Sequence, residues 1–453
     1  MQRYMVIQPL AEVLACKGYE HAAALPVLFK DGGTRYDPDA NEFLFERCLG
    51  YWPYTGEGQQ PPVTSMSQRT YAHALADFLS YAATRNIEVA GADYVRHVYG
   101  RYQSEMLAGT WSSTGNPLSE NTVNSRVDRA CEYLAWLAYK GRRPEFLIPT
   151  RDVDFRLGTH KSTHSDVRPI KARIGRARHR RKDLRLPTDQ ELGRWLASVD
   201  RRHGPELVLA FELILQTAIR KAELVGWRID TIPKNESDWV AANPMARPED
   251  QSIIVSIRYG TKGRMYGKDS GDKIGPRRDI LVPLVLARRI REYCDTARRR
   301  ALLKLAARFK GAELSRHMSD PHLFLDGRTG EPLNYDRVTN CWRNVAALPF
   351  KGWSPHGGRH WWACMKLWRG LKVREAEMKS RGKSIEQGLI ALGTDIIQLE
   401  ITDQLGHVDV ATTHRYIRWV ALQLGTALPT SYAAYLEAED ANPSNAMAGE
   451  KLA

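Results

Sequence analysis

A histidine and a tyrosine stand nine residues apart in Leu405-Gly406-His407-Val408-Asp409-Val410-Ala411-Thr412-Thr413-His414-Arg415-Tyr416. A phenol becomes a nucleophile when a neighbouring base takes its proton. Gly406 can end one helix, and Thr412 and Thr413 can help start the next, so Tyr416 is expected on a short helix with His407 on the turn before it, both able to face one phosphate. Upstream, His356-Gly357-Gly358-Arg359-His360 follows Ser354-Pro355, a reasonable helix start. It sets His356 and Arg359 three apart on one face, a pair suited to a phosphate. Arg220 and Glu223 are likewise three apart and can pair. Lys262 lies in Tyr259-Gly260-Thr261-Lys262-Gly263-Arg264, where flanking glycines allow a tight turn that projects a lysine outward. Taken singly, these have plain readings: a packed tyrosine, a surface ion pair, one lysine among many. Taken in order, Arg220, Lys262, His356, Arg359, His407 and Tyr416 combine phosphate-directed cations, imidazoles and one nucleophile.

Helical elements must hold this set. From Ser65 the pattern turns amphipathic, with Ser67 as a cap and Tyr71, Leu75, Phe78, Leu79 and Ala82 on one face. A second helix is expected near Tyr94 to Leu107 and a third from Ser119 to about Lys140, closed by Gly141. Residues 65–145 thus read as a small all-helical bundle, preceded by an N-terminal extension, 1–64. Residues 146–185 read as a basic linker, whose stretch from Lys171 to Arg185 holds Lys171, Arg173, Arg176, Arg178, Arg180, Arg181, Lys182 and Arg185 against Asp183 alone. Such a run is a solvated linker, or one that also lies along phosphates. Leu186-Pro187-Thr188-Asp189-Gln190-Glu191 opens a second domain, 186–436, with a capping-box-like start. That domain is helical except over 252–284, where Ile253-Ile254-Val255 and Ile280-Leu281-Val282 read as strands joined by a glycine-rich turn region. A small acidic tail, 437–453, closes the chain. The fold class expected is mainly α with a small β-hairpin in the second domain.

The 453 residues carry 66 Lys and Arg against 52 Asp and Glu, a formal net charge of +14, with 43% hydrophobic and 26% charged residues. This is globular composition with a balance that draws polyanions, nucleic acid first. No apolar run approaches membrane-spanning length, and the N-terminus lacks the apolar core of a secretory signal, so a cytoplasmic, nucleoid-associated protein with no membrane role is expected. The six cysteines, at 16, 48, 131, 294, 341 and 364, show no zinc-type spacing. His360 and Cys364, four apart, could share a metal but have no third ligand nearby, so no metal and no cofactor is expected.

The ordered set resembles the tyrosine recombinases, also called the lambda-integrase or phage-integrase family, over about 65–422. The motifs that carry it are Thr217 to Leu224, His356 to His360 and Leu405 to Tyr416. The resemblance implies a helical core-binding domain followed by a catalytic domain. Arg220 and Arg359 would be the catalytic arginines, Lys262 the lysine of the β-hairpin, His356 and His407 the two histidines, and Tyr416 the nucleophile. It further implies cleavage and rejoining of double-stranded DNA through a 3′-phosphotyrosyl intermediate. The enzyme would be a homotetramer on paired sites, with accessory DNA-bending or directionality proteins as further partners, and 422–436 would dock on a neighbouring subunit. The extension, together with an apparent insertion near 375–387, suits integration or excision of a mobile element. Two departures stand out: Gly357-Gly358 where a large apolar residue usually precedes the second arginine, expected to loosen Arg359, and the long spacing from Arg359 to Tyr416. His360, Trp361 and Trp362 read as packing residues and Glu223 as a positioner of Arg220. The other readings are a type IB topoisomerase-like relaxing enzyme and a non-catalytic architectural DNA-binding protein.

Overall fold

The computed structural model describes residues 4–53, 60–156, 167–178, 183–380, 389–406 and 411–424. Within them helices dominate, strands form three small antiparallel sheets, and no helix is long and apolar enough to cross a membrane. The chain divides into two compact units, one ending at Lys182 and one beginning at Asp183.

In the first unit, strands β1 (Tyr4–Ile7), β2 (Val27–Lys30) and β3 (Arg35–Tyr36) form a sheet in that order. Helix α1 (Ala11–Cys16) lies between the first two in sequence, and α2 (Pro38–Leu49) follows them, capped by the Asp37 side chain. Helix α3 (Ser65–Thr84) starts one turn earlier than its expected cap: Thr64, not Ser67, caps it, and accepts from the Ser67 amide. A π-wound stretch, Tyr94–Gln103, runs into α4 (Ser104–Ala108), and α5 (Glu120–Tyr139) completes the bundle. The stretch read as an extension shares this bundle's core. Leu28, Phe43, Leu44 and Cys48 are buried with Leu75, Phe78, Leu134 and Trp136, and the Trp136 indole and Lys140 ammonium both donate to Glu46, at 2.8 and 2.6 Å.

The linker reading is corrected where the chain continues. Strands β4 (Thr150–Arg156) and β5 (Val167–Arg173) pair antiparallel from Thr150↔Arg173 to Arg156↔Val167. Arg173 is buried, donating to the Tyr94 hydroxyl at 2.7 Å and the Gln103 amide oxygen at 3.0 Å and pairing with Asp128 at 3.2 Å. A charge count cannot see that this cation is matched by a carboxylate and neutral acceptors, which is what makes its burial tolerable. Arg180, Arg181 and Lys182 lie outside the described residues.

The second unit opens with α6 (Asp189–His203), whose capping box of Thr188 and Glu191 forms as expected. Helix α7 (Pro205–Thr217) and the short α8 (Lys221–Val225) follow. Strands β6 (Val240–Ala241), β7 (Ser252–Tyr259), β8 (Lys268–Asp269) and β9 (Asp272–Pro283) form one sheet ordered β6-β7-β9-β8, registered from Ser252↔Pro283 to Ile257↔Arg278. Then come α9 (Leu284–Asp295), α10 (Ala297–Ala306), α11 (Gly311–Met318), α12 (Tyr335–Arg343) and the long α13 (Pro355–Ser380). Helix α14 (Leu389–Ile396), a π-wound turn, α15 (Thr402–Leu405) and α16 (Ala411–Leu424) close the described chain. The supposed insertion begins as a continuation of α13, while 381–388, most of the 422–436 docking segment and the 437–453 tail lie outside the described residues.

The core of this unit centres on Trp195, Phe211, Trp342 and Trp353, with ring centroids 4.5 Å apart for Trp195 and Trp342 and 4.8 Å for Phe211 and Trp342. This explains the glycine pair. A Cβ on Gly358 would stand 2.9 Å from Cη2 of Trp342, and one on Gly357 3.0 Å from Cε3 of Trp353. The glycines let α13 settle directly on the tryptophans, and Arg359 beyond them is buried, not loosened.

Candidate active site

The site is built where the ends of α7, α13, α15 and the β7–β9 hairpin meet. Ala218 closes α7 in a left-handed conformation at φ 55°, unfavourable for a residue with a Cβ, and turns the chain so that Arg220 caps α8. The Arg220 amide donates to Glu223 Oε2 at 2.6 Å and its guanidinium to Oε1 at 3.0 Å. Glu223 is buried and also receives Arg278 from β9, at 3.2 and 2.7 Å. Burial alone would raise its pKa, but Arg278 and then Arg220 hold it below the ordinary carboxylate value.

Gln404 on α15 stitches three elements together. Its amide nitrogen donates to Thr217 O at 2.7 Å and Leu281 O at 3.1 Å, and its oxygen accepts from the Leu281 amide at 2.8 Å. The carbonyls that follow are thereby aimed at the arginines. Arg359 donates to Leu405 O and to Ala218 O, and Arg220 donates to Gly406 O at 3.1 Å. Gly406 ends α15 at φ 55°, as expected of it.

Gly260 brings the hairpin in. At φ 68°, with a hypothetical Cβ only 2.3 Å from Ala222 O, it admits no side chain, so the turn after β7 lies against α8. Thr261 is buried there, its hydroxyl donating to Pro276 O at 2.8 Å. Lys262 follows, and desolvation, then Arg220 and Arg359, push its pKa down to about 8.

Tyr416 on α16 is fully buried, with its hydroxyl 3.0 Å from Nδ1 of His360. Burial pushes its pKa up to about 12, with Arg415, Arg359 and Arg220 pulling the other way. His356, one helical turn before His360, meets it edge to face with ring centroids 4.4 Å apart. Its side chain is exposed at the surface, yet desolvation by the surrounding protein and then Arg359, Arg415, Arg220 and Lys262 push its pKa down to about 4, leaving it neutral at pH 7.

Five of the six residues singled out from the sequence thus fall in one region of the unit, linked by shared partners or mutual electrostatic effects. The sixth, His407, lies outside the described residues. Two residues were missed. His360, read as packing, is the group that touches the tyrosine hydroxyl; its spacing of four from His356 on one helix was the available signal. Arg278 completes the cage around Glu223, and alternation along β9 marks it, since Arg277 points to solvent and Arg278 inward. Among the described residues no group of three or more His, Cys, Asp or Glu is arranged to hold a metal. Chemically, the cluster offers a phenol with a hydrogen-bonded imidazole, two guanidiniums and a lysine of lowered pKa.

No family model and no curated protein matches the chain. Solved structures similar to it include a XerH site-specific recombinase bound to palindromic difH substrate in a post-cleavage complex, at TM-score 0.44 and 15% identity over 79% of this chain and 78% of that one. The Tn1549 transposon integrase in complex with transposon right end DNA gives TM-score 0.43 and 13% identity over 87% and 97%. The XerA recombinase gives 0.31 and 16% over 86% and 100%.

Proposed function

We propose that this protein is a site-specific DNA recombinase or integrase that breaks and rejoins strands through an ester between Tyr416 and a DNA 3′-phosphate. The observation that carries the reading is the Tyr416 hydroxyl, 3.0 Å from an imidazole nitrogen, in a cluster where Arg359 and Arg220 donate to the successive carbonyls of Leu405 and Gly406. A scissile phosphate would replace those carbonyls as acceptor. Two guanidiniums can then hold its non-bridging oxygens and offset the charge that grows in the pentacoordinate transition state.

With a pKa near 12, Tyr416 is protonated at neutral pH and needs a base as it attacks. His360 Nδ1 is the acceptor in reach, with neutral His356 beside it. The Tyr416 oxygen forms a bond to phosphorus as the bond from phosphorus to the 5′ oxygen breaks, and Lys262 gives that leaving oxygen its proton. Reversal by a 5′-hydroxyl from another strand restores the phosphodiester, so the bond energy is conserved without ATP. His407 is assigned a hydrogen bond to the phosphate. Exchange between two duplexes cuts four strands; with one nucleophile per chain, the acting species is a homotetramer on paired sites, assisted by accessory DNA-bending or directionality proteins.

The test is a denaturant-resistant adduct. Wild type and Tyr416→Phe are mixed with nicked duplexes tiled from the DNA flanking the gene. Wild type should trap an adduct, and the variant should bind DNA equally without one. An adduct formed by Tyr416→Phe would overturn the mechanism.

A further inference from the structure

We propose that His322 is a positioning residue for proton transfer by Lys262, acting by locking the hairpin that carries this lysine. The inference rests on the reading of Lys262 as the acid for the leaving oxygen.

His322 is buried. Its Nε2 lies 2.6 Å from Asp272 Oδ2 and its Nδ1 2.5 Å from Asp320 Oδ1, so each ring nitrogen faces a carboxylate to which the charged ring donates; Arg228 Nη1, 3.0 Å from Nε2, is a neighbouring cation and not an acceptor. Arg228, also buried, adds a second cation, 3.1 Å from the same Asp272 oxygen. Two cations and two anions make a neutral cluster, which is how such burial is tolerated. Burial would lower the His322 pKa, but Asp272 and Asp320 raise it to about 9, so the ring is charged at pH 7. Arg298 on α10 fixes the backbone, donating to the carbonyls of Asp320 and His322, each at 2.9 Å.

This cluster grips both arms of the hairpin. Asp272 opens β9, and Arg228 donates to the carbonyl of Asp269 in β8 at 2.9 Å. The Arg228 guanidinium lies over the Tyr259 ring at the end of β7, 4.3 Å from its centroid, while the Tyr259 hydroxyl donates to Asp269 at 2.9 Å. Tyr259 is three residues before Lys262. Gly260 and Thr261 hold the turn on its α8 side; the His322 cluster holds it on the other. The charged and titratable groups facing the ring are therefore Asp272, Asp320, Arg228 and, one contact further, Asp269, Tyr259 and Arg298. Among the described residues the partners of the His322 ring are Asp272, Asp320 and Arg228, not Tyr416, Arg220 or Arg359.

His322→Gln keeps polar volume but cannot donate to both carboxylates. At pH 7 it should slow adduct formation about a hundredfold, the scale of a small misplacement of a catalytic group, with DNA affinity unchanged. The deciding substrate carries sulfur in place of the leaving 5′ oxygen, because a thiolate departs without a proton. On it, both His322→Gln and Lys262→Ala should recover to within severalfold of wild type. If Lys262→Ala stays slow there, the reading of Lys262 as acid fails and this inference with it. If Lys262→Ala recovers and His322→Gln does not, or if His322→Gln matches wild type on the oxygen substrate, the inference alone is overturned. Should His322→Gln fail to fold by thermal melting, Asp320→Asn, which removes one of the two carboxylates, is held to the same outcomes.

Discussion

Replacing Glu223 with glutamine tests the cage around Arg220. The buried carboxylate accepts four hydrogen bonds: from the Arg220 amide and Arg278 at Oε2, and from Arg220 and Arg278 guanidinium groups at Oε1. A glutamine keeps one acceptor oxygen and turns an NH2 toward the other two donors. Two bonds to charged groups are lost, each contributing about 1.5–3 kcal/mol, so the cost is about 3–6 kcal/mol, overlapping the roughly 3–5 kcal/mol of breaking a buried ion pair from one side. For a unit of this size that lowers the melting temperature by about 10 °C. Because the folded pKa of Glu223 lies below its unfolded value, its contribution is present at neutral pH and is lost as pH falls through the folded pKa, so the gap between wild type and variant should narrow in acid. The assay is denaturant unfolding of wild type, Glu223→Gln, Arg278→Met and the double variant. A loss under about 1 kcal/mol, the size of an exposed ion pair, or strict additivity in the cycle, would refute the cage.

Gly358→Ala forces a methyl against the buried Trp342 ring and should cost about 1–3 kcal/mol by overpacking, read by thermal melting, while displacing Arg359 and slowing adduct formation. The Lys262 pKa near 8 sets an alkaline limit: the ammonium is protonated below it, so adduct formation with ordinary DNA should fall as pH rises through about 8. With the sulfur-substituted substrate that limb should vanish. A limb that persists on sulfur assigns it to another group.

Helix starts and stops were legible because caps and glycines act locally: Thr188 with Glu191, Ser119, Gly406 and Ser354-Pro355 each mark an element boundary. The hairpin's two apolar triplets did the same for β7 and β9. What the sequence hid were long-range satisfactions of polar groups. Arg173 looked like one more linker charge until Asp128 and Tyr94, far away in sequence, accounted for it. Phe43 and Leu44 looked peripheral because their partners, Tyr133 and Trp136 among them, lie about ninety residues on. His360 reads as packing in the sequence because only the docking of α16 on α13, which brings the His360 and Tyr416 ring centroids to 5.7 Å, decides which side chain meets the tyrosine hydroxyl. The Gly357-Gly358 pair misled in the opposite sense, as flexibility in a linear reading and close packing in three dimensions.

The carbonyls of Leu405 and Gly406 engage both arginines from within the protein. Both arginines already have acceptors, so a passing anion gains only the difference between two sets of hydrogen bonds, a fraction of the roughly 1.5–3 kcal/mol each would supply to an empty hand. Free phosphate or a stray nucleotide is a poor competitor on those terms. A ligand that brings many further contacts along its length can meet the exchange cost at one phosphate, and under the proposed function such a site would favour a polymer over its monomers before any sequence is read.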